Sequence, residues 1–169
     1  KVEKDIAYFY LSDFFDPLRV MKAFGDTIQD NLNAEGFVLD LRGNPGGIAV
    51  MAQGLGGWFV DQPEQKLGTQ FDRQGFQHYV LNPREATYEG PLAILVDELS
   101  GSTSEILAGG LQGLKRARVF GKRTMGAALP SQFLRLPNGD GLQYVVADYI
   151  SVSGKRLEGN GVQPDEVVP

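Results

Sequence analysis

Residues 92–105 read LAILVDELSGSTSE, and the way this stretch is punctuated decides the fold. Leu92–Val96 is an unbroken apolar run of strand length, the pattern of a strand buried on both faces of a parallel sheet. A short polar loop follows. From Ser104 to Lys115 the spacing predicts a helix with Ile106, Leu107, Leu111 and Leu114 turned inward. Gly109, Gly110 and Gly113 are poor helix formers, so their presence there predicts close packing against another backbone.

The same strand–loop–helix unit recurs upstream. Residues 37–42, FVLDLR, run into Gly43-Asn44-Pro45-Gly46-Gly47, after which Ile48, Met51, Ala52, Leu55, Trp58 and Phe59 have helical spacing. Before that, residues 5–11 read as a strand. Asp16-Pro17 reads as an N-cap with proline at the first helical position, and Leu18, Met21, Phe24, Ile28 and Leu32 mark one apolar helix face ended by Gly36. Downstream, residues 117–120 predict a strand. Gln132–Leu136 and Leu142–Ile150 flank Asn138-Gly139, a strong hairpin signal. Residues 61–90 carry no clear period and read as a surface excursion with a strand near Gln77–Val80. The alternation predicts an α/β fold with a largely parallel sheet and a C-terminal β-hairpin, in one domain over residues 1–169.

The bulk composition agrees. The chain has 169 residues, 42% hydrophobic and 22% charged, enough apolar material for one core and too much for disorder. No apolar run reaches the length of a membrane span, which implies a soluble piece. The absence of Cys excludes disulfides, thiolate zinc sites and a cysteine nucleophile, and the single His78 excludes a two-histidine metal site within the chain. A net charge of −5 argues against a nucleic-acid partner. Lys1 in place of Met, with no leader after it, reads as part of a longer chain.

Four segments carry possible chemistry. Ser102 stands where a buried strand gives way to a helix N-terminus, which stabilises a developing anion. Ser102-x-x-Glu105 also fits a capping box, and from this segment alone the cap is the stronger reading. The Asp40–Gly47 loop can aim backbone N–H groups into a concavity, although a tight turn explains Gly46 and Gly47 equally, and Asp40 with Arg42 reads as a structural pair. Gly121–Ala127 has turn character. Glu158 lies just after a strand-like stretch, where a lone Glu beside glycines is more often a turn residue. A serine nucleophile needs a base, and His78 and Lys122 are the candidates in the chain, neither with convincing spacing.

Taken together, FVLDLRGNPGG at 37–47, LAILVDELSGSTSEILAGGL at 92–111, VFGKRTMGAALPS at 119–131 and LEGNGVQPDEVV at 157–168 resemble, in this order, the core of the S41 serine peptidases. That group comprises the C-terminal processing and the tricorn-like proteases. The resemblance implies a ClpP/crotonase-like spiral of ββα units, with Ser102 as the nucleophile and an oxyanion hole made by backbone N–H groups of Thr103 and of Gly46 or Gly47. It implies no cofactor and no metal, a peptide or unfolded protein as substrate, and often an extracytoplasmic bacterial setting. In the processing branch the base is a Lys directly after the Gly of Gly-x-x-Thr-x-Gly, and here that position is Ala127. In the tricorn-like branch the base is a His supplied from sequence ahead of the core, oriented partly by a Glu that Glu158 matches. The resemblance therefore implies a base outside these residues. Its alternatives are a non-catalytic binding domain on the same fold and a processing protease inactivated by Lys→Ala replacement at 127.

Overall fold

The computed structural model describes residues 5–168; Lys1 lies outside them. The chain alternates β1 (Ile6–Tyr10), α1 (Pro17–Asp30), β2 (Gly36–Asp40), α2 (Val50–Gly56), β3 (Lys66–Asp72), β4 (Gly75–Val80), β5 (Leu92–Val96), α3 (Thr103–Gly113) and β6 (Arg118–Gly121). The strands β7 (Ser131–Arg135), β8 (Gly141–Val145), β9 (Asp148–Ser151) and β10 (Glu166–Val167) follow. Five strands form a parallel sheet in the order β1-β2-β5-β6-β10. A three-stranded antiparallel sheet, β4-β3-β9, packs on α3, and β7 with β8 makes a separate ribbon.

Apolar side chains drive the assembly from one face of the parallel sheet. Phe37, Leu39, Ile94, Val96 and Val119 are buried there beneath Phe24 and Ile28 of α1 and Leu107 and Leu111 of α3. Phe24 meets Phe9, Phe37 and Phe59 edge-on at centroid distances of 4.9, 5.9 and 5.8 Å, a geometry favoured by the ring quadrupoles. The other face is less covered. β5 alternates between buried and half-buried residues, and Tyr8 and Tyr10 of the edge strand β1 are exposed. The apolar run at 92–96 therefore comes from a strand buried on one face only, and the expectation of two buried faces is corrected.

α1 begins as its sequence dictates: Asp16 accepts a hydrogen bond from the Arg19 N–H at 3.1 Å, and Pro17 is the first helical residue. Its end differs from the expectation. Asn31 closes the helix, its amide donating to the Thr27 carbonyl at 2.8 Å, and Gly36 opens β2 instead. Leu18 is exposed rather than inward. In α3, Gly110 lies so close to β3 that an added Cβ would stand 2.8 Å from the Leu67 Cα, which explains the glycine. Residues 61–90 are not irregular throughout, since β3 and β4 form a hairpin within them. This stretch is tied back by Arg116, whose guanidinium donates to the carbonyls of Phe59, Tyr88 and Gly90 at 2.6, 2.7 and 2.9 Å. The C-terminal hairpin forms, but β8 ends at Val145, and residues 148–151 leave it to pair with β3. Among the described residues no helix is long and apolar enough to cross a membrane.

Candidate active site

β2 and β5 are adjacent and parallel, so the loops at their carboxyl ends meet at one edge of the sheet, where open α/β folds bind ligands. Side chains from each loop lock onto the other. Asn44 is fully buried. Its amide donates to the Leu11 carbonyl at 2.8 Å, its Oδ1 accepts from the Gly46 N–H at 2.8 Å, and its carbonyl accepts from the Gly101 N–H at 2.9 Å and the Ser104 hydroxyl at 3.0 Å. Asp97 Oδ1 accepts from the Gly43 N–H at 2.9 Å, and the Ser100 hydroxyl donates to the Leu41 carbonyl at 2.8 Å. Sequence reading gave the side chains of Asn44 and Asp97 no role; only their position between the two loops reveals it.

Ser102 is the N-cap of α3, with φ +52° and ψ −115°. A non-glycine residue in the left-handed region is uncommon and stores strain. Ser102 and Glu105 have capping-box geometry, the Ser102 N–H donating to Glu105 Oε2 at 2.9 Å. The Glu105 N–H faces the Ser102 side chain in return and also bonds to the Ser102 main-chain carbonyl at 2.9 Å. Ser102 thus caps the helix and also lines a cleft. Gly46, at φ +100°, touches this elbow: a Cβ there would stand 2.6 Å from Ser102 Cβ and 2.9 Å from the Thr103 nitrogen. Gly47 (φ +142°) follows, its carbonyl accepting from the Thr103 hydroxyl at 2.9 Å. The Gly46 N–H is spent on Asn44. The N–H groups of Gly47 and Thr103 make no hydrogen bond among the described residues.

Glu105, read from sequence only as a cap, has a larger part. It is fully buried, and its two oxygens also accept from the Thr124 hydroxyl at 2.5 Å and from the N–H groups of Gly126 and Ala127 at 2.7 and 2.9 Å. One carboxylate thus binds the Ser102 turn to the 124–127 loop and sets Ala127 beside the serine. Thr124 in turn accepts from the Val162 N–H at 2.7 Å, bringing the 157–162 segment to the same place. Glu158 Oε2 accepts from the Ala128 N–H at 2.9 Å.

A cleft of about 1020 Å³ opens here, lined by Ser102, Gly47, Tyr79, Ala127, Glu158 and parts of both ribbon strands. Of the residues singled out from the sequence, Ser102, Thr103, Gly46, Gly47 and Glu158 therefore gather around one cleft and its rim. His78 and Lys122 do not. His78 is exposed on β4, its Nδ1 at 2.8 Å from the Thr69 hydroxyl, and Lys122 pairs with Glu98 at 3.2 Å on the surface. Neither Lys nor His lines the cleft among the described residues.

Asp40 and Arg42 form the structural pair expected of them. Arg42 donates through Nε and Nη2 to the buried Asp40 carboxylate, at 2.9 and 2.6 Å, and the Tyr8 hydroxyl donates to it at 2.7 Å. Burial pushes the Asp40 carboxyl up, but these hydrogen bonds outweigh burial and hold it below its ordinary value.

Fold and site together define an α/β protein with a strained serine at the junction of a parallel strand and a helix, facing a glycine loop. The chain belongs to peptidase family S41, whose sequence profile matches residues 5–168. It is 36% identical to the carboxyl-terminal-processing protease of Synechocystis sp., over 80% of this chain and 31% of that protein. The structure of a photosystem II D1 C-terminal processing protease superposes with a TM-score of 0.81 at 30% identity, covering 96% of this chain and 42% of that one. The tricorn protease shares the fold at a TM-score of 0.62 and 19% identity, over 97% of this chain and 15% of that one. The chain spans about a third of the length of the curated relatives it matches.

Proposed function

We propose that this chain is the nucleophile-bearing core of a serine endopeptidase that acts on peptides or unfolded protein chains through an acyl-enzyme at Ser102. The observation that supports it best is the elbow itself. A left-handed serine at a helix N-terminus stands against a glycine loop, with the Thr103 and Gly47 N–H groups beside it unpaired among the described residues. Ser102 Oγ attacks the scissile carbonyl carbon. The carbonyl oxygen becomes an oxyanion held by those two N–H groups and favoured by the helix dipole. Gly47 is the better donor of the two loop glycines, because the Gly46 N–H is engaged by Asn44.

The hydroxyl proton needs an acceptor that then passes it to the leaving amine. Among the described residues lining the cleft, the titratable groups are Glu158 and the phenols of Tyr79 and Tyr144. Neither Lys nor His is among them, and the resemblance to the tricorn-like branch implies a His base from outside these residues, oriented by Glu158, which the Ala128 N–H holds. Water then releases the acyl group by the same path. Without its base the 169-residue chain retains only oxyanion-hole catalysis, roughly 10³–10⁴ over water in serine proteases stripped of their triad.

Fluorophosphonate labelling of this chain and of a longer chain carrying its flanking sequence tests the reading. The expected result is Ser102-dependent labelling of the longer chain only, abolished by Ser102→Ala. Labelling in neither would sink it. Ala127 favours a second reading, a non-catalytic peptide-binding domain, since it puts a methyl group where a processing protease of this family carries its base. That reading predicts peptide binding by the longer chain with no labelling.

A further inference from the structure

Among the described residues the β7–β8 ribbon pairs with no other strand. All ten of its strand residues are exposed, and among them are Phe133, Leu134, Leu142, Tyr144 and Val145. Two-stranded ribbons are marginal by themselves in water. This one is held at its base by the Val146 N–H, which donates to the Pro130 carbonyl at 2.9 Å, and at its tip by the Leu136 N–H, which donates to the Asp140 carbonyl at 2.7 Å. Those two bonds set the ladder's phase. In an antiparallel pair the hydrogen-bonded positions alternate, so 130/146, 132/144, 134/142 and 136/140 face each other through their main chains. Ser131, Phe133 and Arg135 on β7, and Gly141, Gln143 and Val145 on β8, then turn their N–H and C=O groups outward along two free edges. Residues 131–133 and 143–145 of this ribbon line the cleft that holds Ser102.

We infer that the ribbon is the docking surface for substrate, an extended polypeptide segment with apolar side chains adding to one ribbon edge as a third strand and continuing into the cleft. The inference rests on the peptidase reading for the word substrate, but not for the binding itself. Strand addition meets the unpaired main-chain groups of the edge, and exposed aromatic and aliphatic side chains cover the incoming ones. An open edge beside apolar residues is otherwise a liability that proteins blunt with charge or proline. Arg135 is the single charged side chain in the two strands. The occupant follows from the edge itself: unpaired N–H and C=O groups in strand geometry are matched by an extended polypeptide backbone, and residues of both strands continue into the cleft that holds Ser102.

Fluorescence anisotropy with fluorescein-labelled casein, an unfolded polypeptide, measures binding without turnover. Ser131→Pro and Val145→Pro each remove an outward N–H and leave the β7–β8 ladder its own bonds, proline being tolerated at such edge positions. Ser131→Ala and Val145→Ala keep the N–H groups and lose the side chains. One of the two proline variants is expected to weaken binding about tenfold relative to its alanine counterpart, the factor for one or two net hydrogen bonds. Its far-ultraviolet circular dichroism and thermal midpoint should stay unchanged. Equal binding by wild type and both proline variants, or no binding by wild type, overturns the inference. Concentration-dependent self-association lost in the same variants also overturns it and assigns the edge to a second copy. Edge-dependent binding without Ser102 labelling in the longer chain keeps the docking surface and removes the peptidase.

Discussion

Asp40 is 1% exposed, so its charge stands or falls with the donors around it. Its folded pKa lies below its ordinary value, against the effect of burial, because Arg42 and Tyr8 donate to the carboxylate. The unfolded chain therefore binds the proton more readily than the folded one. The stabilisation is complete above the unfolded value, near about 4, and disappears as pH falls through the folded value. Asp40→Asn should cost stability at neutral pH and progressively less in acid, as measured by urea unfolding across that range; a pH-independent cost would refute the argument. Glu105 is a buried carboxylate met by neutral donors alone. Glu105→Ala strands four of them, with an expected loss on the order of 3 kcal/mol or more in chemical denaturation. Tyr149 carries a buried hydroxyl with no hydrogen-bond partner among the described residues, and Tyr149→Phe should leave stability unchanged or raise it by about 1 kcal/mol.

At the scale of elements, the candidate site depends on two loops held at contact distance. Gly46 is where they touch, and its left-handed φ and the Ser102 Cβ beside it both exclude a side chain. Gly46→Ala should push the loops apart, at a cost of about 1–3 kcal/mol in backbone strain. In the longer chain it should remove Ser102 labelling while the protein still unfolds cooperatively. Retained labelling would mean that the glycine loop does not form the oxyanion hole.

At the scale of the molecule, stability is distributed unevenly. β2 and β5 sit at the centre of the parallel sheet with strands on both sides, whereas the ribbon has solvent on both edges and both faces. Hydrogen exchange should report this as near-global protection for Leu39 and Ile94 and local opening for residues 131–145. The ribbon should gain protection when an unfolded polypeptide binds. Protection of the free ribbon equal to that of β5 would contradict its unpartnered character.

Local residue choices were enough to determine the order of elements from β1 to α2, the N-cap at Asp16, the parallel core and the hairpin at Asn138-Gly139. Each rests on a period or a turn chemistry that acts over a few residues. Four ordered motifs made Ser102, the glycine loop and Glu158 legible as candidates. The tertiary structure decided what no local pattern encodes. It set which face of Leu92–Val96 is covered, and it sent residues 148–151 away from the hairpin to pair with β3. It left His78 and Lys122 on the surface and made Asn44 and Glu105 the joints of the site. The physical reason is sequence separation: Asn44 meets Ser104 across 60 residues and Thr124 meets Val162 across 38. A buried polar group finds its partners only after packing has excluded water, so its role emerges from the assembled core.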